Sequence, residues 1–157
     1  MIDTHSHLFV EEFDEDLPAV IERARDSGVS KVFMPNIDDT TVEAMLNVCT
    51  AYKGYCFPMI GFHPNSVGAD SLFRIYEMKK LLSGEHPFVA VGEVGMDLYW
   101  DKTYLKEQQK ALDIQIQWAL EYHLPLVLHC REAFPELFEV MEPYKKTELS
   151  GIFHSFT

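Results

Sequence analysis

The chain has 157 residues, with 13 Lys and Arg against 25 Asp and Glu for a formal charge of -12, and is 47% hydrophobic. These proportions fit one globular domain and exclude a collagen, a disordered tail and a coiled coil; no run approaches the ~18 consecutive apolar residues of a membrane span. So acidic a chain is poorly suited to hold polyanions through a basic surface, and action on nucleic acid or phosphate esters would need local positive charge such as bound divalent cations.

Short apolar, β-branched runs alternate with longer amphipathic stretches, the pattern of successive β-α units. The first strand is expected over residues 1–7. A helix over 16–27 follows, with an acidic cap, Pro18 in its first turn and Gly28 behind it. Residues 31–36 read as the second strand. Thr40 and Glu43 predict a capping box opening a helix through Tyr52. The third strand is expected over 56–62 and a helix over 72–82. The fourth strand, 88–93, and the fifth, 125–130, are nearly continuous apolar runs, as suits parallel strands covered on both faces. Between them residues 103–122 form the longest helix, with Leu105, Leu112, Ile116, Ala119 and Leu120 on one face. A short helix over 136–141 precedes a sixth strand over 151–155.

Polar residues mass at the C-terminal ends of these strands, where parallel α/β folds build their sites. The first strand ends Asp3-Thr4-His5-Ser6-His7. Residues two apart share a face, so His5 and His7 project together, as metal ligands or as exposed turn histidines. The fourth strand ends in Glu93, a carboxylate closing an apolar run; it is metal-bound or paired at the rim. The fifth ends in His129, with Cys130 pointing the other way as a small buried residue, and Arg131 just beyond it as a phosphate contact or a rim ion pair. The sixth ends in His154. Within the predicted strands every His and Glu thus stands at a C-terminal end, and the array argues for a metal centre. His63, held extended by Pro64, is a candidate substrate or phosphate contact. Asp97 is expected in a loop, positioning substrate or capping the next helix. Tyr99 and Trp100 follow in that loop, stacking on a base or packing as a lid. His86 and His123 lie outside the pattern and read as structural.

Five segments together, Asp3-Thr4-His5-Ser6-His7, Gly61-Phe62-His63-Pro64, Gly92-Glu93-Val94-Gly95-Met96-Asp97, residues 124–133 and residues 151–157, resemble successive motifs of the TatD-type metal-dependent deoxyribonucleases, in the amidohydrolase-like barrel superfamily. The resemblance runs the length of the chain. It implies an α/β fold of TIM type, a (β/α)8 barrel with a parallel sheet and a two-metal phosphodiesterase site. His5 and His7 would hold one ion, Glu93 would bridge as the catalytic carboxylate, and His129 and His154 would hold the other. His63, Arg131 and Asp97 would contact substrate. The metals would be two divalent ions, Mg, Mn or Zn, and the substrate DNA, cleaved exonucleolytically.

Family members carry a further strand-end Asp, completing the first metal and accepting a proton, for which no motif is found here. Only six of eight strands are accounted for, against the ~250 residues of a typical barrel. Residues 1–157 are therefore expected to form a single, incomplete barrel domain, an open curved sheet whose first and sixth strands are unpaired and prone to self-association. Other expected activities are deacylation of aminoacyl-tRNA by the same metal chemistry, or none, as a non-catalytic remnant. Three sparse cysteines and no visible secretory leader predict the cytoplasm, with no membrane association and no evident stable protein partner.

Overall fold

A computed structural model describes residues 1–155; Phe156 and Thr157, the end of the last motif, lie outside the described residues. Among the described residues six strands alternate with five α-helices: β1 Ile2–Asp3, α1 Leu17–Asp26, β2 Lys31–Pro35, α2 Val42–Ala51, β3 Cys56–Met59, α3 Ser71–Met78, β4 Val91–Asp97, α4 Leu105–Glu121, β5 Leu126–Arg131, α5 Phe134–Met141 and β6 Gly151–Phe153. All ladders are parallel. β1, β2 and β3 form one sheet and β4, β5 and β6 another. The two meet at a bridge between Ile60 and Val91, so strand order follows chain order around one arc. No helix among the described residues is long and apolar enough to cross a membrane.

Alternation along the strands explains the layers. Val32 and Met34 of β2, and Leu126 and Leu128 of β5, point outward and are buried under the helices with Met45, Ile75, Leu112, Ile116 and Leu137. Each such fully buried aliphatic side chain contributes about 1.5–3 kcal/mol. Intervening residues face the inner side, where Met59, Ala90 and Val127 form a second, smaller cluster with Phe33 and Val89.

Several boundaries differ from expectation. β1 ends at Asp3, so His5 and His7 stand beyond the strand, and β3 ends at Met59, short of His63. β4 starts three residues later than expected and runs on to Asp97, which is therefore in a strand and not in a loop. The capping box at Thr40 does not form. The N-cap of α2 is Thr41, whose side chain makes no cap bond to the helix. Asp38 takes over locally instead: its Oδ1 accepts from both the backbone N–H and the hydroxyl of Thr40. A short acceptor two residues away competes well with a helix terminus for these donors.

Candidate metal centre

The centre is built around Glu93, which is only 3% exposed. Strict alternation from outward-facing Val91 would aim Glu93 at the helices. The ladder to β5 slips here: Gly92 pairs with Val127, yet Val94 pairs with Leu128. Glu93 is the extra residue of a bulge, and a bulge re-aims a side chain while leaving the strand otherwise paired. Gly92 permits this, because a Cβ there would sit 2.6 Å from Cβ of Val127. Gly95 has φ +142° and would place a Cβ 1.9 Å from the His129 carbonyl oxygen.

Asn36, completely buried, ties this bend to its neighbours. Its backbone N–H donates to Gly92 O (3.0 Å) and its carbonyl accepts from the Glu93 N–H (3.3 Å). Its side-chain amide donates to Gly61 O (2.9 Å) and Asp38 O (2.7 Å), and its Oδ1 accepts from the Thr41 hydroxyl (2.9 Å). Every polar group of the side chain is engaged, as burial demands.

Four imidazoles converge on the Glu93 carboxylate. The Nε2 atoms of His5, His7 and His63 lie 3.0, 3.8 and 3.6 Å from Oε2, and Nδ1 of His129 lies 3.2 Å from Oε1. The His154 ring stacks on His5 at 3.5 Å. Possible donor atoms fall into two groups sharing Glu93: His5 with His154, and His63 with His129. His154 thus sits with His5, whereas the resemblance pairs it with His129.

Hydrogen bonds select the ring nitrogens. Nδ1 of His7 lies 3.0 Å from the Pro35 carbonyl. It must donate there, which leaves an Nε2 lone pair facing the centre. Asp97, 2% exposed, accepts from Nε2 of His129 at 2.9 Å through Oδ2 and from the Tyr99 N–H at 3.0 Å through Oδ1. Nδ1 of His129 is thereby turned to Glu93. His63 is the opposite case: its Nδ1 accepts from the Asn65 N–H at 3.1 Å. A neutral His63 then carries its proton on Nε2 and presents a donor toward the centre.

The electrostatics agree with this division. Burial, reinforced by His5, pushes His7 below the usual histidine range, and the same two causes act on His154. Burial also lowers His63, against the attraction of Glu93, to about 4. These rings are neutral at pH 7. Burial alone would raise Glu93, but hydrogen bonds from His129 and His5 outweigh it and hold the carboxyl well below its ordinary range. His129 is raised, because its bonds to Glu93 and Asp97 outweigh its burial.

Imidazoles gathered around an ionised carboxylate are a donor set for a divalent ion. Two donors bound at ~2.0–2.2 Å to one ion stand about 2.9–3.6 Å apart. The His5 and His129 distances to Glu93 fall inside that range. His5 Nδ1 is buried with no hydrogen-bond partner among the described residues. The residues present therefore fit a metal ion, and the Asp97–His129 contact is the kind of carboxylate support that ligating histidines have.

Two further polar residues support the site without a signature motif in the sequence. On α4, Gln108 and Gln115 are 4% and 1% exposed. Gln115 accepts from the Phe62 N–H at 2.7 Å and donates to the Phe62 carbonyl at 3.3 Å, fixing the residue before His63. Gln108 does the same for Asp97, at 2.9 and 3.0 Å. Their sequence signal is a pair of amides seven residues apart on the apolar face of a helix. Arg131 is the last residue of β5 and exposed, with its guanidinium over the rings of Tyr99 and Trp100 on the rim. Cys130 packs against the outer core, and His86 lies near Phe88 and Tyr122, away from Glu93.

A family model described as TatD related DNase matches residues 2–157. The chain belongs to the TatD family. It is 32% identical over 157 residues to an uncharacterized metal-dependent hydrolase, YabD, of Bacillus subtilis (strain 168), covering all of this chain and 61% of the relative. It is 30% identical to a 3'-5' ssDNA/RNA exonuclease TatD of Pantoea sp. (strain At-9b), covering 100% and 60%. The crystal structure of YJJV, a TatD homolog from Escherichia coli K12, superposes with a TM-score of 0.84 at 29% identity, over 100% of this chain and 60% of that one. The chain thus spans about three-fifths of the length of the curated relatives it matches, and its arc of parallel strands corresponds to that portion of a TatD barrel.

Proposed function

We propose that this chain supplies a divalent-metal site for hydrolysis of phosphodiester bonds in single-stranded nucleic acid, released one nucleotide at a time from an end. The observation that carries the reading is the approach of His5, His7, His63 and His129 to one buried carboxylate, Glu93. The substrate class is that of the Pantoea exonuclease relative.

In this reading Glu93 is shared between two ions. His5, His7 and His154 would hold one ion and His129 the other. When bound, divalent ions offset phosphate charge and bring the acidity of a water toward neutrality. The chain's own residues do the rest. His7, its Nδ1–H committed to the Pro35 carbonyl, keeps its lone pair on the centre. Asp97 orients His129 in the same sense. Neutral His63 donates Nε2–H to a non-bridging phosphate oxygen and orients the substrate. Arg131 adds positive charge at the rim.

The test is equilibrium dialysis of the chain with Mn or Zn, followed by incubation with end-labelled single-stranded DNA. Metal uptake and metal-dependent release of mononucleotides are expected, and both fall in Glu93→Gln. A preparation that holds metal, leaves DNA intact and deacylates a misacylated tRNA would sink the nuclease reading.

A further inference from the structure

Beside the Glu93 cluster, three flat groups are held against one another. The Arg131 guanidinium carbon lies 3.6 Å from the Tyr99 ring centre and 5.4 Å from that of Trp100. Tyr99 and Trp100 meet edge to face, 4.6 Å apart. Both rings are open to solvent, Trp100 at 72% of full exposure. A large aromatic so uncovered forfeits the burial that normally stabilises it, and its place at the rim of a site points to a ligand.

Trp100 also lines a cleft of about 310 Å³, whose other apolar walls are Pro64, Val67 and Tyr104. That is the lower end of ligand-binding clefts, ~300–1,000 Å³. The cleft shares two residues with the hydrogen bonds that hold the centre. Asp97, which orients His129, lines it, as does Asn65, which donates to His63. Its carboxylates, the exposed Asp101 and an Asp97 whose oxygens are committed to His129 and Tyr99, disfavour a phosphate there and leave room for an uncharged ring.

We propose that Trp100 is a stacking platform for a nucleobase of a single-stranded nucleic acid, seated between residues 64–67 and residues 100–104 while the adjoining phosphate reaches the Glu93 cluster. The inference rests on the nuclease reading above and specifies how the strand is held. Arg131, anchored flat on Tyr99, keeps its N–H edges for the backbone of the same strand. For a chain of charge -12 this matters, because stacking attracts a base without a basic surface and tolerates any base.

The test is binding of a short, nuclease-resistant phosphorothioate oligothymidylate, and of its abasic counterpart, to the whole chain with Mn, read by anisotropy. Trp118 is buried and Trp100 is not, so quenching of the exposed tryptophan gives a second reading in the wild type. Trp100→Ala is expected to weaken thymidylate binding about 5–100-fold and to leave the abasic strand within about two-fold. Trp100→Phe recovers most of the loss. The proposal is overturned if Trp100→Ala weakens both strands alike or neither, or if the wild type does not favour the strand with bases. Cleavage is scored separately on an ordinary phosphodiester strand. Base-dependent binding without metal-dependent cleavage would count against the nuclease reading and leave the stacking platform standing.

Discussion

Asp97 and His129 stand 2.9 Å apart, and that contact decides which nitrogen of His129 faces Glu93. With Nε2–H donated to Asp97, Nδ1 faces a Glu93 oxygen at 3.2 Å, as an N–H donor in the protonated ring and as a lone pair in the neutral one. Two acceptors so placed need a proton or a cation between them. A proton on Nδ1 and a bound cation are thus alternatives at this position.

Asp97→Asn should therefore act on metal binding more than on folding. The amide still accepts one hydrogen bond but no longer supports the ring with charge. Loss of such a partner typically costs about 10–100-fold in metal affinity. Calorimetric titration with Mn or Zn measures it, with far-UV circular dichroism as the folding check. Unchanged affinity would show that Asp97 does not support His129.

The glycines around Glu93 should rank by what their missing Cβ would strike. In Gly92→Ala the new carbon meets the Val127 side chain, which can shift, at an overpacking cost of about 1–3 kcal/mol. In Gly95→Ala it meets the His129 carbonyl, which is backbone, and the residue is also held at positive φ. The second variant should be the less stable in urea unfolding and should also lose metal affinity, because His129 must move. Equal stabilities would mean that the bulge adjusts more freely than its packing implies.

Much of this centre was legible in the sequence because His129 and Glu93 each close an apolar run, where a polar side chain needs a partner. The same holds for His63, marked by its Pro64. The direction of Glu93 was not legible, since period-two alternation from Val91 aims it wrongly and only the bulge corrects it. Asp97 reads as a loop residue because the apolar run closes at Glu93, although β4 carries on through Gly95 to Asp97. Asn36, Gln108 and Gln115 were silent for another reason. An amide has no signature chemistry, and each acts by completing hydrogen bonds of backbone that is distant in sequence.

The thiols offer a pH-dependent check on the outer core. Burial, with a contribution from Cys56, pushes Cys49 up to about 12, and burial, against Arg25, pushes Cys56 up to about 11. Both are raised above an unfolded value near ~8.5, so their protonated forms contribute fully to stability at neutral pH. That contribution is lost as pH rises from about 9 through 11 and 12. In native protein at pH 8, a thiol reagent should label Cys130, which is half-buried, and spare Cys49 and Cys56. Denaturant should release all three. Rapid labelling of Cys49 in the native state would contradict its packing between α2 and the sheet.

Metal should also stabilise the fold itself, because the ligands come from segments that only folding brings together. His5 and His7 follow β1, Glu93 belongs to β4, His129 to β5, and His154 follows β6. An ion that binds only this arrangement adds about 2.7 kcal/mol at a hundred times its dissociation constant. Melting temperature should rise with added Mn or Zn, fall back with chelator, and stay flat in Glu93→Gln, which loses the carboxylate both groups share. The sign of the variant's own stability separates two contributions. If Glu93→Gln melts below the metal-free wild type, the carboxylate also holds its histidines through hydrogen bonds in the absence of an ion. If it melts at the same temperature or above, the cluster is held together for the metal alone, and the convergence on Glu93 is a functional arrangement that the fold maintains against its own stability.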